Sequence, residues 1–211
     1  YVIENSKSRL ILTDADYVGV AKKLTTNNDS VAVVEAGNDL DRLLDAVKPE
    51  PLDLEAPAGG NMIYTSGTTG RPKGVKRALP PTVGAALEIF GRSGRNVGLD
   101  GSGPHLVTGP MYHAAPLMMS VYDNINGAPI LIMPSWDEHE ALDWMMRREV
   151  AHTHLVPTMF VRLLRLPESE RASFKAPALR KVLHGAAPIS VPVKKRMIDW
   201  WGPILLEYWG G

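Results

Sequence analysis

The sequence predicts a layered α/β fold with largely parallel sheets flanked by helices. Short apolar runs alternate with amphipathic segments of helical period, as in successive βα units. The 211 residues are 45% hydrophobic and 22% charged, enough to bury a sizeable core. A glycine-rich loop directly follows one apolar run, the placement of ligand-binding loops in open α/β sheets.

Arg9 to Thr13 reads as the first strand, with Asp14 capping a helix that runs to about Leu24. Val31 to Val34 is a second strand, followed by a helix from Asn38 through Val47 with Leu40, Leu43, Leu44 and Val47 on one face. Together these form one βαβ layer. The stretch from Pro49 to Gly60 is too rich in Pro and Gly for a regular element and reads as a connector. Asn61 to Thr65 is a strand, and Thr82 to Phe90 a helix. Strands are then expected at His105–Thr108, Ile130–Met133, Thr153–Val156 and Leu179–Leu183, with helices at Asp137–Val150, Thr158–Leu166 and Val191–Trp201.

The 23 basic and 23 acidic residues cancel, so no global field draws the chain to nucleic acid. Cysteine is absent, which excludes disulfides and thiolate catalysis. No stretch approaches the ~20 apolar residues that span a bilayer. The cytoplasm is the expected setting, and a homodimer is left open. The start without Met and the end at Gly210–Gly211 read as those of a piece of a longer protein, incomplete at both ends.

Thr65 to Gly74 reads TSGTTGRPKG. Glycines let main-chain amides approach phosphate oxygens closely. The hydroxyls of Thr65, Ser66, Thr68 and Thr69 add neutral donors, while Arg71 and Lys73 offer positive charge. A surface turn draws on the same residue types, but ten together with a Lys, directly after an apolar strand, favour nucleotide binding. The spacing departs from a Walker A loop, because Lys73 follows Pro72 and precedes Gly74, where that loop needs Gly before and Ser or Thr after.

This loop resembles the signature of the ANL adenylating superfamily, which comprises acyl-CoA synthetases, adenylation domains of peptide synthetases and firefly-type luciferases. Further stretches follow in that family's order. Gly109-Pro110-Met111-Tyr112-His113 is similar to its Pro-x-x-His segment near the acyl pocket. His184-Gly185-Ala186-Ala187-Pro188 is similar to its adenine-side loop, and Glu207-Tyr208-Trp209-Gly210-Gly211 to the start of its aromatic-Gly-x-Thr-Glu motif. Trp209 takes the place of the usual stacking Tyr, and its ring can stack equally well.

The resemblance implies that residues 1–211 are part of an N-terminal AMP-binding (adenylation) domain, with the C-terminal domain absent. It implies activation of a carboxylic acid, expected to be a fatty acid, by ATP, with Mg2+ and coenzyme A as further requirements. Thr65, Ser66, Gly67, Thr68, Thr69, Gly70 and Lys73 would hold phosphates. Gly185, Ala186, Ala187 and Pro188 would wall one side of the adenine, with Tyr208, Trp209 and Gly210 across from them. Lys73 and His113 are the catalytic candidates. The Thr-Glu, the ribose-gripping Asp and the catalytic Lys of the family have no counterpart in this sequence, so the chain alone is expected to be inactive. An aryl-acid or amino-acid adenylating domain and a nucleotide-binding remnant are the alternatives, as is a phosphotransferase cleaving at the γ-phosphate. His152 and His154 alternate along one strand, permitting metal ligation, but no third ligand presents itself and a structural role is favoured. No metal site is expected.

Overall fold

The structure is a computed structural model that describes residues 1–65, 70–76 and 78–209, with the side chain of Thr65 outside that set. It resolves into two compact units, Tyr1–Val83 and Gly84–Gly211.

The first unit opens with α1 (Val2–Ser6), β1 (Leu10–Thr13), α2 (Ala15–Thr25), β2 (Ala32–Glu35) and α3 (Asn38–Asp45). β1 and β2 pair in parallel, with Leu10 opposite Ala32 and Thr13 opposite Glu35, so the expected βαβ layer is present. The expected apolar face of α3 is uncovered, for Leu43, Leu44 and Val47 are all exposed. The connector after α3 contains no regular strand or helix and is fastened by a bridge between Pro57 and Thr82.

β3 (Ile63–Thr65) and β4 (Lys73–Val75) complete the unit as an antiparallel pair. The sequence suggested a lone strand running into a loop. Lys73-Gly74-Val75 has too little apolar patterning to announce itself, and forms a strand because β3 supplies the partner backbone. Gly74 leaves room there for the Met62 and Tyr64 side chains. A Cβ on it would stand 2.1 Å from the Met62 Cε and 3.0 Å from the Tyr64 ring.

The second unit holds α4 (Val83–Asn96, opening at the unit boundary), β5 (His105–Val107), α5 (Ala114–Ile125), β6 (Ile130–Ile132), α6 (Glu138–Arg147), β7 (His152–Leu155), α7 (Pro157–Arg165), α8 (Glu168–Ser173), β8 (Lys181–His184), α9 (Val191–Trp201) and β9 (Leu205–Glu207). Its five strands run in the order β6-β5-β7-β8-β9, and every pairing is parallel. The chain leaves β5 toward one edge and returns to build toward the other. The topological switch therefore lies between β5 and β7, where open sheets of this type place ligands beyond the strand carboxyl ends.

Phe160, Leu163, Met145, Leu155, Val182 and Met197 form the buried centre between the sheet and α6, α7 and α9. Trp200 and Trp201 extend that packing, as the sequence suggested, with ring centroids 5.6 Å from Phe174 in each case. Asp137 caps α6 by accepting hydrogen bonds from the main-chain N–H of His139 (3.0 Å) and Glu140 (2.9 Å). α5 was missed in the sequence, because it is apolar on most sides and carries Pro116 in its first turn. No helix among the described residues is long and apolar enough to cross a membrane.

Candidate functional site

In the first unit, β3 ends at Thr65 and β4 begins at Lys73, so the signature loop closes a hairpin instead of entering a helix. Lys73 is exposed on the hairpin shoulder. Gly70 adopts φ 97°, a left-handed conformation that suits glycine. Tyr1 reaches the same loop, donating its hydroxyl to the Pro72 carbonyl at 3.1 Å, and the Arg71 guanidinium lies 5.6 Å from the Tyr1 ring centre. Ser66, Gly67, Thr68, Thr69 and the Thr65 side chain, all assigned to phosphate binding from the sequence, lie outside the described residues, as does Gly210.

In the second unit, the other predicted residues gather at the carboxyl rim of the parallel sheet. His113 follows β5 and stands just before α5, exposed, with its ring centre 4.6 Å from that of Tyr112. Gly185-Ala186-Ala187-Pro188 follows β8, and Tyr208-Trp209 follows β9. Gly185 is buried while the next three residues are exposed. Ala186 takes φ 66°, a left-handed conformation unfavourable for a residue with a Cβ. The rim thus presents a tight, small-residue turn. Trp209 is 96% exposed, leaving its whole indole available for a flat partner.

Tyr208 crosses the rim. Its main-chain N–H donates to the His184 carbonyl (3.1 Å), and its hydroxyl shares a 2.9 Å hydrogen bond with His154 Nε2 on β7. Between β9 and β7 lies β8, with Gly185 immediately after its end. A Cβ on Gly185 would stand 2.8 Å from the Tyr208 ring. Glycine is therefore the residue that lets the phenol pass over the end of β8. Burial pushes the His154 imidazole down to about 4, with the nearby His105 and His184 acting in the same direction, so it is neutral at pH 7. Thr108, immediately after β5, donates its hydroxyl to the His154 carbonyl at 2.6 Å and ties β5 to β7 at the switch point.

His152 and His154 do not converge on one site. His152, with His105 on β5, lies near the opposite, amino rim, where both point Nδ1 at the same oxygen of Asp123 on α5, at 2.8 and 2.9 Å. The other Asp123 oxygen accepts the Gly101 N–H at 3.0 Å. All three side chains are buried. Burial works against the Asp123 charge, but the bonds from His105 and His152 outweigh it and hold the carboxyl at about 2. Sequence reading missed this knot, since nothing in the spacing of His105, Asp123 and His152 marks them as neighbours. Among the described residues no group of three or more His, Cys, Asp or Glu is arranged to hold a metal ion. A hollow of about 360 Å³ lined by Phe174, Lys175, Trp200, Trp201 and Ile204 lies toward the amino ends of β8 and β9, away from the rim that carries the predicted residues.

A five-stranded parallel sheet with helices between successive strands and an order that reverses at β5 and β7 defines an α/β protein of the open-sheet class. The chain belongs to the AMP-binding enzyme family, whose profile matches residues 1–211. It is 30% identical to a 2-succinylbenzoate–CoA ligase of Geobacillus kaustophilus over 207 residues, covering 90% of this chain and 38% of that protein. It is 27% identical to 4-coumarate–CoA ligase 1 of Arabidopsis thaliana over 206 residues, covering 87% and 35%. The chain thus spans well under half the length of these relatives. Its fold is that of the N-terminal domain of FACL13 from Mycobacterium tuberculosis, with a TM-score of 0.77 at 21% identity, over 100% of this chain and 52% of the other.

Proposed function

We propose that this chain forms the nucleotide-binding part of an enzyme that joins a carboxylic acid to AMP and then to coenzyme A. The carboxylate oxygen attacks the α-phosphorus of ATP, the bond to the β-phosphate oxygen breaks, and pyrophosphate leaves. The thiol sulfur of coenzyme A then attacks the acyl carbon, and AMP departs. Neither step needs a protein nucleophile, so catalysis rests on positioning and charge.

The observation that carries this reading is the Gly185–Pro188 turn, Tyr208 and Trp209 on one rim, in a chain that also bears TSGTTGRPKG. The turn offers a flat, side-chain-poor surface for adenine, and Trp209 offers a face to stack on it. Lys73 supplies charge to the departing pyrophosphate, with Thr65, Ser66, Thr68 and Thr69 as neutral donors. His113, on the same rim, is the residue assigned here to the entry of the acid and the thiol. The described carboxylates and imidazoles do not form a metal-binding set, so no step is assigned to Mg2+.

For the acid, the reading is an apolar carboxylate. The half-buried Met118 and Met119 on α5, beyond His113, favour a fatty chain. The ligases of 2-succinylbenzoate and 4-coumarate favour an aryl acid as the second reading. The test is pyrophosphate release by the full-length protein across a panel of fatty, aryl and amino acids. AMP and pyrophosphate formed only with an added acid support the proposal. ADP and phosphate, or no turnover with any acid, overturn it.

A further inference from the structure

We infer that His154 is a positioning residue for the adenine side of the site, acting through the hydroxyl of Tyr208. This rests on the adenylation reading above and adds a residue that neither the motifs nor the family resemblance singles out.

The argument begins with topology. Trp209 follows β9 by two residues, and β9 is joined to the sheet through β8. The residue next to it, Tyr208, is fastened in two directions. Its N–H extends the β8–β9 ladder to the His184 carbonyl, while its hydroxyl reaches over Gly185 to His154, two strands inward. Both fastenings are needed to fix a segment, because one hydrogen bond leaves rotation about its axis. The distance is that of a full hydrogen bond at 2.9 Å. His154 is itself only 3% exposed and is held by Thr108 through its carbonyl, so the anchor is set in a buried, cross-strand-bonded part of the sheet. A neutral imidazole suits the task, since it takes part in a phenol hydrogen bond without bringing charge to the adenine wall. The ring centres of His154 and Tyr208 are 5.7 Å apart and tilted, which adds packing to the polar bond.

Alternatives for this histidine carry less. Its partner at i−2, His152, is engaged with Asp123. His154 contributes to no metal-binding cluster among the described residues.

The experiment uses the full-length protein with its best carboxylic acid. His154→Leu removes the polar partner at similar volume, Tyr208→Phe removes the hydroxyl while keeping the ring over Gly185, and His154→Gln restores a hydrogen-bonding group. Loss of one hydrogen bond predicts a rise in KM for ATP of roughly fivefold in His154→Leu and in Tyr208→Phe, with kcat and the KM values for the acid and coenzyme A within about twofold of wild type. The double variant rises no further than either single one, and His154→Gln recovers most of the loss. An unchanged KM for ATP in both single variants overturns the assignment, as do effects that multiply in the double variant or losses spread evenly over all three substrates. Tyr208→Phe keeps the test decisive if His154→Leu fails to fold. In each of these cases wild-type turnover leaves the adenylation reading standing. Absence of acid-dependent pyrophosphate release by the wild type removes both.

Discussion

Lys73 stands directly opposite Thr65 on the antiparallel ladder of β3 and β4, so the start and the cationic end of the signature motif are held side by side. Replacing Lys73 by Ala removes charge from an exposed strand position and should leave stability within about 0.5 kcal/mol of wild type. A charge-assisted phosphate contact is worth ~1.5 to 3 kcal/mol, so adenylation by the full-length protein should fall roughly ten- to hundredfold. Normal pyrophosphate release by Lys73→Ala would remove this residue from the site.

Gly185→Ala places a methyl group 2.8 Å from the Tyr208 ring, inside van der Waals contact. Tyr208 must move or the end of β8 must shift, at a cost of about 1 to 3 kcal/mol. Urea denaturation should show that loss, and AMP affinity should weaken with it. Because the Tyr208 carbonyl oxygen also stands 2.9 Å from that methyl, truncating the ring in Gly185→Ala/Tyr208→Ala should recover only part of the stability relative to the sum of the single changes. Additive losses would show that the ring is not what excludes a side chain at 185.

Asp123→Ala leaves His105 and His152 buried without their shared acceptor. A loss of about 3 to 5 kcal/mol is expected, measurable as a shift in the denaturant midpoint. The Asp123 carboxyl is held at about 2, below its usual 3.8. Its stabilisation is therefore complete above pH 3.8 and disappears as pH falls through that value toward 2. A midpoint in Asp123→Ala equal to wild type at pH 7 would show that the knot contributes nothing.

His154 gives pH dependence in a higher window. Its folded value of about 4 lies below the usual 6.5, so between those two pH values the unfolded chain binds the proton first. Stability is full above pH 6.5 and declines as pH falls to 4, by roughly 3 kcal/mol in total. His184, held down by burial and then by Lys194, acts in the same sense. Replacing His154 by Gln should make the decline between pH 6.5 and 4 shallower. An identical pH profile in the variant would contradict the burial argument.

How far the sequence discloses this molecule depends on whether a feature is local. Helix α9 matches its expected bounds, Val191–Trp201, because its apolar spacing and the proline in its first turn are written within eleven consecutive residues. The alternation of strands and helices gives the parallel sheet for the same reason. β4 and β9, three residues each, are strands by virtue of the neighbours they pair with, and no short run can announce that. Of the predicted site residues, the rim turn, Tyr208 and Trp209 gather on the second unit's sheet, with His113 on the same rim. The bond that spans that rim joins residues 54 positions apart, and the buried carboxylate joins histidines 18 and 29 positions away. Distances of that kind are set by topology. The helix α3 is present as expected, two residues shorter, and the exposure of Leu43, Leu44 and Val47 is what helical spacing leaves open, since it predicts an apolar face but not what covers it.

Helix α5 begins next to His113 and ends with Asp123 close to its last residue. Twelve residues make it about 18 Å long, enough to run from the carboxyl rim to the amino rim of the sheet. It is a strut whose foot is clamped by two imidazoles and whose head meets His113 at the carboxyl rim. Loosening the foot frees the strut to pivot. A defect at the amino rim would then be felt as a shift of His113 at the carboxyl rim.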